Sequence, residues 1–155
     1  MEPAMPSTIF TAKEYDPAKE KRRNRAIIAI VVVIIVAAAL VWWFRNWPEE
    51  HVANQFVAAL QAQDYPKAYG VWMHDPEWKS HPQKYERYPF ADFYRDWGPS
   101  GEWGLIKTFN LDGSVNPPHA SGVIVQFTIN GRAEKLRLWV EKKDKTITFC
   151  QAQGC

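Results

Sequence analysis

The sequence predicts an α+β protein, in which one N-terminal transmembrane helix is followed by three helices packed on a curved four-stranded antiparallel sheet. Residues 26–44, AIIAIVVVIIVAAALVWWF, form an unbroken apolar run. Apolar residues then recur at helical spacing as far as Trp97, and from Trp103 onward they alternate with a period of two. The chain has 155 residues. The roughly 110 residues after the apolar run are near the commonest size of one domain.

The segment before the apolar run predicts a mobile cytoplasmic arm. Residues 1–25 have no sustained apolar period and end in a basic cluster that includes Arg22, Arg23 and Arg25. They hold six Lys and Arg against four Asp and Glu, whereas residues 45–155 hold thirteen of each. The folded domain is therefore formally neutral, which argues against nucleic acid as a partner.

The apolar run predicts a membrane anchor, and its flanks predict its direction. As a helix it spans about 28 Å, close to the hydrocarbon thickness of a bilayer. Basic residues crowd its N-terminal side, but after Arg45 no Lys or Arg follows until Lys67. This asymmetry predicts a cytoplasmic N-terminus and an extracytoplasmic C-terminal domain. The expected membrane is a bacterial cytoplasmic membrane, with which the lack of any N-x-S/T sequon in the sequence is compatible. The predicted membrane-interface residues are Arg22, Arg23, Arg25, Trp42, Trp43, Arg45 and Trp47.

A cleavable signal peptide is the alternative interpretation of the apolar run. Ala37, Ala38 and Ala39 offer small residues to a peptidase, but LVWWF follows them, so the run continues beyond the cleavage position. The apolar part of a signal peptide usually has about 7 to 15 residues. The sequence favours a retained anchor, residues 26–44, followed by a folded domain, residues 45–155.

Two helices joined by a tight corner are predicted next. Pro48 suits the first turn of a helix, and Val52, Phe56 and Leu60 then fall on one face. Asp64 predicts the N-cap of a second helix. A third helix is predicted over residues 89–97, because Phe90, Phe93, Tyr94 and Trp97 stand at i, i+3, i+4 and i+7.

Four strands are predicted after the third helix. The first runs from Trp103 to Leu111 and ends at a turn formed by Asp112 and Gly113. The second ends at Asn130 and Gly131, a strong hairpin signal. The return strand is predicted over residues 132–142, and the last strand over residues 145–151. Together these four strands form a meander with one apolar face.

The segment from Phe56 to Trp72, FVAALQAQDYPKAYGVW, resembles the opening of the nuclear-transport-factor-2-like superfamily of cystatin-like α+β cones. The order of elements from Glu49 to Gln151 is similar as well. The resemblance implies a curled sheet with a cavity in the mouth of the cone, but no motif carries a catalytic position over to this chain. The ligand-cavity candidates that it implies are Tyr69, Trp72, Phe93, Tyr94, Trp97 and Trp139.

The histidines and cysteines predict no metal site. His74, Asp75 and His81 match no compact ligand spacing. Cys150 and Cys155 are a possible disulfide if the domain is extracytoplasmic, and free thiols are the alternative. No phosphate-binding loop, nucleophile elbow or HExxH motif is present, and no cofactor is expected.

Two functional interpretations follow. The first is a single-pass interaction domain without enzymatic activity, an accessory or scaffold subunit that contacts the bilayer and either other membrane subunits or itself. The second is a cone that binds a small apolar ligand, or acts on it as an enzyme, in an aromatic cavity. An open cavity lined by the aromatic candidates favours the second interpretation, whereas a solid core at those positions counts against it.

Overall fold

A computed structural model describes residues 17–150 of the chain. These residues divide into two compact units, one ending at Trp43 and the other beginning at Phe44. In chain order their elements are α1 Pro17–Trp43, α2 Trp47–Gln61, α3 Tyr65–Trp72, 3₁₀ turns at Trp78–Ser80 and Pro82–Tyr85, α4 Phe90–Trp97, β1 Phe109–Val115, β2 Gly122–Ile129, β3 Lys135–Glu141 and β4 Ile147–Phe149. The architecture of this part of the chain is α+β, with one long N-terminal helix, three further α-helices and one four-stranded antiparallel sheet.

Helix α1 begins at Pro17, so residues 17–25 belong to the helix rather than to the predicted mobile arm. Proline is favoured in the first turn of a helix, and the Ala, Lys, Glu and Arg residues that follow are strong helix formers. Glu20 also lies 3.9 Å from Arg23, one turn further along. Residues 1–16 of the predicted arm lie outside the described residues.

No residue of α1 is buried by the other described residues. An 18-residue helical window near the N-terminus has a mean hydropathy of 3.1, and 0% of it is buried. By length and composition this is the one helix in residues 17–150 able to cross a membrane, and a signal sequence meets the same criteria. The helix is therefore a membrane-span candidate by these criteria.

The predicted helix, corner and second helix are confirmed. The corner between α2 and α3 includes Gln63, whose φ of 58° lies in the left-handed region. The side chain of Asp64 then accepts a hydrogen bond from the backbone N–H of Lys67 at 3.2 Å, as an N-cap residue does. The third predicted helix is α4, which differs from the prediction by one residue at its start.

The sheet is the predicted antiparallel meander, in the order β1, β2, β3, β4. It is open and not strongly curled, so the curved sheet of a cone is not observed. The short β4 pairs with β3 over only three residues.

Strand β1 lies further along the chain than predicted. Asp112 and Gly113 form a bulge inside the strand, where the pairing with β2 shifts register between Leu111 and Gly113. Gly113 has a φ of 136°, which side chains disfavour. The predicted turn is therefore a bulge, and the strand continues to Val115.

The hairpin between β2 and β3 has a longer connection than the two residues predicted. Asn130 and Gly131 have the expected positive φ of 50° and 68°, but Thr128 pairs with Lys135. The side chain of Asn130 is used elsewhere: its Oδ1 accepts the backbone N–H groups of Lys107 at 2.7 Å and Thr108 at 3.1 Å. These bonds hold the segment before β1, which the sequence wrongly predicted to be strand.

The core lies between the helices α2, α3 and α4 and one face of the sheet. Val123, Val125, Phe127 and Ile129 of β2 are fully buried on that face. The helices bury an aromatic-rich set against it, namely Phe56, Tyr69, Trp72, Phe93 and Trp97.

Candidate functional site

Four of the six ligand-cavity candidates lie together, but they form packed core. Tyr69, Trp72, Phe93 and Trp97 are each at most 4% exposed. The ring of Phe93 lies 5.1 Å from that of Tyr69, 6.0 Å from Trp72 and 6.5 Å from Trp97, measured between centroids. Rings packed at such distances fill the space that a cavity ligand would need.

The hydroxyl group of Tyr69 also has a partner within the core. It donates a hydrogen bond to the carbonyl oxygen of Tyr88 at 2.6 Å. Burial raises the pKa of Tyr69 to about 12. The phenol therefore stays protonated at neutral pH and serves as a structural donor in the core.

The other two cavity candidates lie apart from the packed cluster. Tyr94 is 46% exposed and packs edge-on against Tyr65, with 5.0 Å between ring centroids. Trp139 lies on the sheet face opposite Leu138 and Val140, because successive side chains of a strand alternate between faces. It covers Gly122, where an added Cβ would lie 2.4 Å from the indole ring.

A groove of about 610 Å³ lies between α2, α3 and the loop that follows α3. We call it the α2–α3 groove. Its apolar lining residues are Val52, Pro66, Gly70, Val71, Pro76 and Trp78. Its volume falls within the roughly 300 to 1,000 Å³ of small-molecule sites.

The wall of the α2–α3 groove formed by Trp78 is held in place by specific contacts. The indole Nε1 of Trp78 donates to the carbonyl oxygen of Pro66 at 3.1 Å. A Cβ at Gly70 would lie 3.3 Å from Cδ1 of Trp78 and 3.2 Å from the carbonyl oxygen of Asp75. Glycine at this position of α3 therefore allows the loop and its Trp to approach the helix closely.

The polar groups of the α2–α3 groove are neutral or cationic. They are Gln55, Lys67, His74 and Lys79, and no carboxylate is among the described lining residues. The Lys79 ammonium lies 5.7 Å from the centroid of the Trp78 ring. The groove thus combines apolar walls with a cationic rim.

The loop that forms this wall is organised around Asp75. Its carboxylate accepts the Tyr85 hydroxyl at 2.5 Å and the Glu77 backbone N–H at 2.9 Å. His81 and Lys84 lie 3.4 Å and 3.8 Å from the same carboxylate. The pKa of Asp75 is lowered, chiefly by the hydrogen bond from Tyr85, so the carboxylate is ionised at neutral pH.

A second concavity, the α4–β3 cleft, has a volume of about 920 Å³. Its described lining holds three cationic and three anionic side chains, which are Arg95, Lys135 and Arg137, and Asp96, Glu102 and Glu134. Arg95 pairs with Asp96 at 3.4 Å, and the Tyr88 hydroxyl donates to Asp96 at 3.0 Å. Because the charges largely compensate one another, the cleft has no clear preference for ligand charge.

Among the described residues, the buried carboxylate is that of Glu49, in the first turn of α2. It is 4% exposed, and its Oε1 accepts a hydrogen bond from Nζ of Lys145 at 2.6 Å. Beside it, Ser114 donates to Glu50 at 2.6 Å and accepts from Nδ2 of Asn46 at 2.9 Å. These contacts tie the start of the folded unit to β1 and to the turn before β4.

The remaining predicted site residues fall in three places. Arg22, Arg23 and Arg25 are exposed on α1, whose last two residues, Trp42 and Trp43, are 71% and 82% exposed. Arg45 lies in the turn after α1. Trp47 begins α2 and stacks on His51 with 5.0 Å between ring centroids.

The structure describes one of the two cysteines and the histidines considered for metal binding. Cys150 is not a free thiol, but Cys155 lies outside the described residues, so their pairing stays a prediction. Within residues 17–150, no group of three or more His, Cys, Asp or Glu side chains could hold a metal ion. Of His74, Asp75 and His81, whose spacing the sequence analysis weighed, His81 and Asp75 make the contact described above.

Sequence reasoning did not find the α2–α3 groove. Val52 and Val71 look like ordinary members of helical apolar stripes, and their partial exposure depends on how the two helices meet. One sequence signal was present: Gly70 is a helix-disfavouring residue inside a predicted helix, which often indicates a close approach by another segment.

Comparison of the chain with protein-family models, with curated proteins and with solved structures gave no significant match. The resemblance to the nuclear-transport-factor-2-like superfamily therefore stays a prediction.

Proposed function

We propose that this protein is a single-pass membrane-anchored interaction domain, an accessory or scaffold subunit of a complex in a bacterial cytoplasmic membrane. The observation that carries the proposal is the uncovered apolar surface of α1, whose 18-residue window is 0% buried. Soluble monomers rarely expose contiguous apolar patches larger than a few hundred Å². A bilayer is the natural cover for a helix of this length and composition.

A retained anchor is favoured over a cleaved signal sequence. Helix α1 continues beyond Ala39 through Trp42 and Trp43, so the apolar segment does not end at the alanines. Intact-mass measurement of the protein from isolated membranes tests this. The full 17.9 kDa chain is expected, and a species shortened by the first 39 residues would contradict retention.

The proposed orientation is a cytoplasmic N-terminus and an extracytoplasmic folded unit. Its support is the basic cluster on the N-terminal part of α1, with Arg45 alone on the other flank before Lys67. Single-cysteine variants at Ser7 and Lys143, in a chain with Cys150 and Cys155 replaced by Ser, can be treated with a membrane-impermeant maleimide. In intact cells with a permeable outer barrier, position 143 should react and position 7 should react only after lysis. The reverse pattern would overturn the orientation.

An interaction role fits the folded unit because its aromatic residues are used in packing and its surface charge is balanced. The large apolar side chains that are exposed in the described part of this unit are between 43% and 55% exposed, and they are Phe44, Trp47, Tyr94, Leu105, Val115 and Phe149. Chemical cross-linking in native membranes, followed by purification in a mild detergent, tests for a stable complex. A discrete cross-linked species at higher mass supports the proposal, and recovery of monomer alone would contradict it.

Ligand binding is the second candidate function, and one observation now favours a location for it. Four of the six aromatic candidates are packed in the core, whereas the α2–α3 groove is open and has mainly apolar walls. A ligand site would therefore lie on the helical side of the domain, away from the predicted mouth of a cone.

A further inference from the structure

We propose that the α2–α3 groove binds one molecule of a long-chain fatty acid, with its hydrocarbon chain along the apolar walls and its carboxylate at Lys67 and Lys79. The inference rests on the proposed membrane anchor, because the bilayer would supply the amphiphile. It also gives the second candidate function a site and a ligand class.

The apolar part of the groove suits a flexible hydrocarbon chain. Val52 and Val71 form walls from two different helices, and Trp78 closes one side above Gly70. These groups present no hydrogen-bonding requirement to a ligand, since the Trp78 Nε1–H is already bonded to Pro66. Each methylene that leaves water for such walls should tighten binding about fourfold.

The cationic rim indicates an anionic head group. Lys67 and Lys79 belong to different segments, α3 and the following loop, and both line the groove. Neither has a carboxylate partner within ion-pair distance among the described residues. A ligand carboxylate at this rim would therefore gain contacts without breaking an existing ion pair.

The size of the groove and its place on α2 agree with a single chain drawn from a membrane. A volume of about 610 Å³ is in the range of one small ligand. Val52 and Gln55 lie about 8 to 12 Å along α2 from Trp47, at 1.5 Å per residue. Trp47 and His51 are stacked in the first half of α2. Gln55, which lines the groove, is hydrogen-bonded to His51 at 2.9 Å.

Photo-cross-linking of the full chain in lipid nanodiscs tests the proposal. The probe is palmitate carrying a diazirine near its methyl end, and the labelled peptides are identified by mass spectrometry. We expect labelling of residues 52–55 and 66–79 in addition to α1, which serves as the internal standard because it lies in the bilayer. The Val71→Phe variant, which fills the groove, should lose the groove label and keep the α1 label.

Charge dependence is tested with two matched pairs of substitutions. Replacing both Lys67 and Lys79 with Gln should lower the groove label, relative to the α1 label, about fivefold. The control pair, Lys107→Gln with Lys143→Gln, removes two exposed lysines outside the groove and should change nothing. The corresponding neutral fatty alcohol should label the groove several-fold less than palmitate in the unchanged protein.

A third arm distinguishes sources of the chain. Phosphatidylglycerol with a diazirine in one acyl chain should label α1 alone, because two chains exceed the single groove. Equal labelling of the groove by this phospholipid would overturn the fatty-acid assignment. Labelling of α1 without the groove overturns the proposal and leaves the anchor standing, whereas labelling of neither contradicts the anchor itself.

Discussion

Nζ of Lys145 lies 2.6 Å from Oε1 of Glu49, and this ion pair joins the first turn of α2 to the turn between β3 and β4. The two residues are 96 positions apart in the chain. The Glu49 side chain is 5% exposed and that of Lys145 is 27% exposed, so the carboxylate depends on its partner for compensation. Lys145 also has a φ of 60°, which a lysine adopts only when its surroundings hold it there.

Replacing Lys145 with Met should lower the free energy of unfolding by about 3 kcal/mol, since the Glu49 carboxylate would be left buried without a cation. Urea unfolding of the full chain in detergent micelles, followed by near-ultraviolet circular dichroism, measures the change. The control Lys143→Met alters an exposed lysine in the same turn and should have little effect.

The double variant Glu49→Met, Lys145→Met provides the second half of this prediction. It removes both charges and replaces them with apolar side chains of similar length, so it should be more stable than Lys145→Met alone. A double variant that is as unstable as the sum of the two single variants would show that the ion pair does not couple the two elements.

Phe93 and Tyr94 are neighbours on α4 with opposite environments, and they test whether the aromatic cluster is core. Phe93 is 0% exposed, whereas Tyr94 is 46% exposed. Truncation of Phe93 to Ala should cost about 3 to 5 kcal/mol of unfolding free energy, because it opens a cavity among the rings. Tyr94→Ala should cost about 1 kcal/mol or less.

The same pair separates the packed-core interpretation from a ligand cavity. If the ring cluster were a ligand site held open by a bound molecule, Phe93→Ala would be tolerated nearly as well as Tyr94→Ala. Thermal unfolding of the two variants side by side in the same micelles decides the question.

The order of elements was predictable from the sequence because it depends on local patterns. The apolar period of α2, the N-cap at Asp64 and the alternation in β2 each act over a few residues. Asp112 and Gly113 were misread because the pair suits both a turn and a bulge, and the choice depends on pairing with β2. The surroundings of the cavity candidates were not predictable for a related reason: residues such as Trp72 and Phe93 have the same sequence pattern whether they meet other rings or line an open space. The α2–α3 groove depends on how Trp78 packs against Gly70, and the periodic pattern of apolar residues in the sequence does not predict that contact.

Asn130 holds the segment before β1, so its replacement should release that segment. Its side chain accepts from the backbone N–H groups of Lys107 and Thr108 and donates to the carbonyl oxygen of Leu105 at 2.9 Å. Asn130→Gly keeps the left-handed backbone and removes these bonds, at a cost of about 2 kcal/mol of unfolding free energy. Asn130→Ala should cost about 1 kcal/mol more, because its side chain disfavours a positive φ.

Hydrogen exchange localises the effect of Asn130. The amides of Lys107 and Thr108 should exchange faster in both variants, while those in the middle of β2 should keep their protection relative to global unfolding. Unchanged protection at both positions would contradict a holding role for the Asn130 side chain.

The hydrogen bond from Tyr85 to Asp75 predicts a defined pH dependence. The pKa of Asp75 lies below its ordinary value of 3.8, and the Tyr85 hydroxyl is the largest cause. A carboxyl whose pKa is lowered on folding stabilises the folded state above its unfolded pKa, and this contribution is lost as the pH falls through the folded pKa. Tyr85→Phe should therefore raise the pKa of Asp75 and move acid unfolding to higher pH. NMR titration of the Asp75 carboxyl carbon measures its pKa directly. Fluorescence measures the pH midpoint of acid unfolding, with the same variant at neutral pH as the reference.

The control is the same substitution in an Asp75→Asn background. There Tyr85→Phe should no longer move the midpoint of acid unfolding, since the carboxyl whose ionisation it changes is gone. A midpoint that still shifts in that background would assign the effect to lost packing of the Tyr85 ring. The loop beside the α2–α3 groove would then be ordered by aromatic contacts and not by the Asp75 carboxylate.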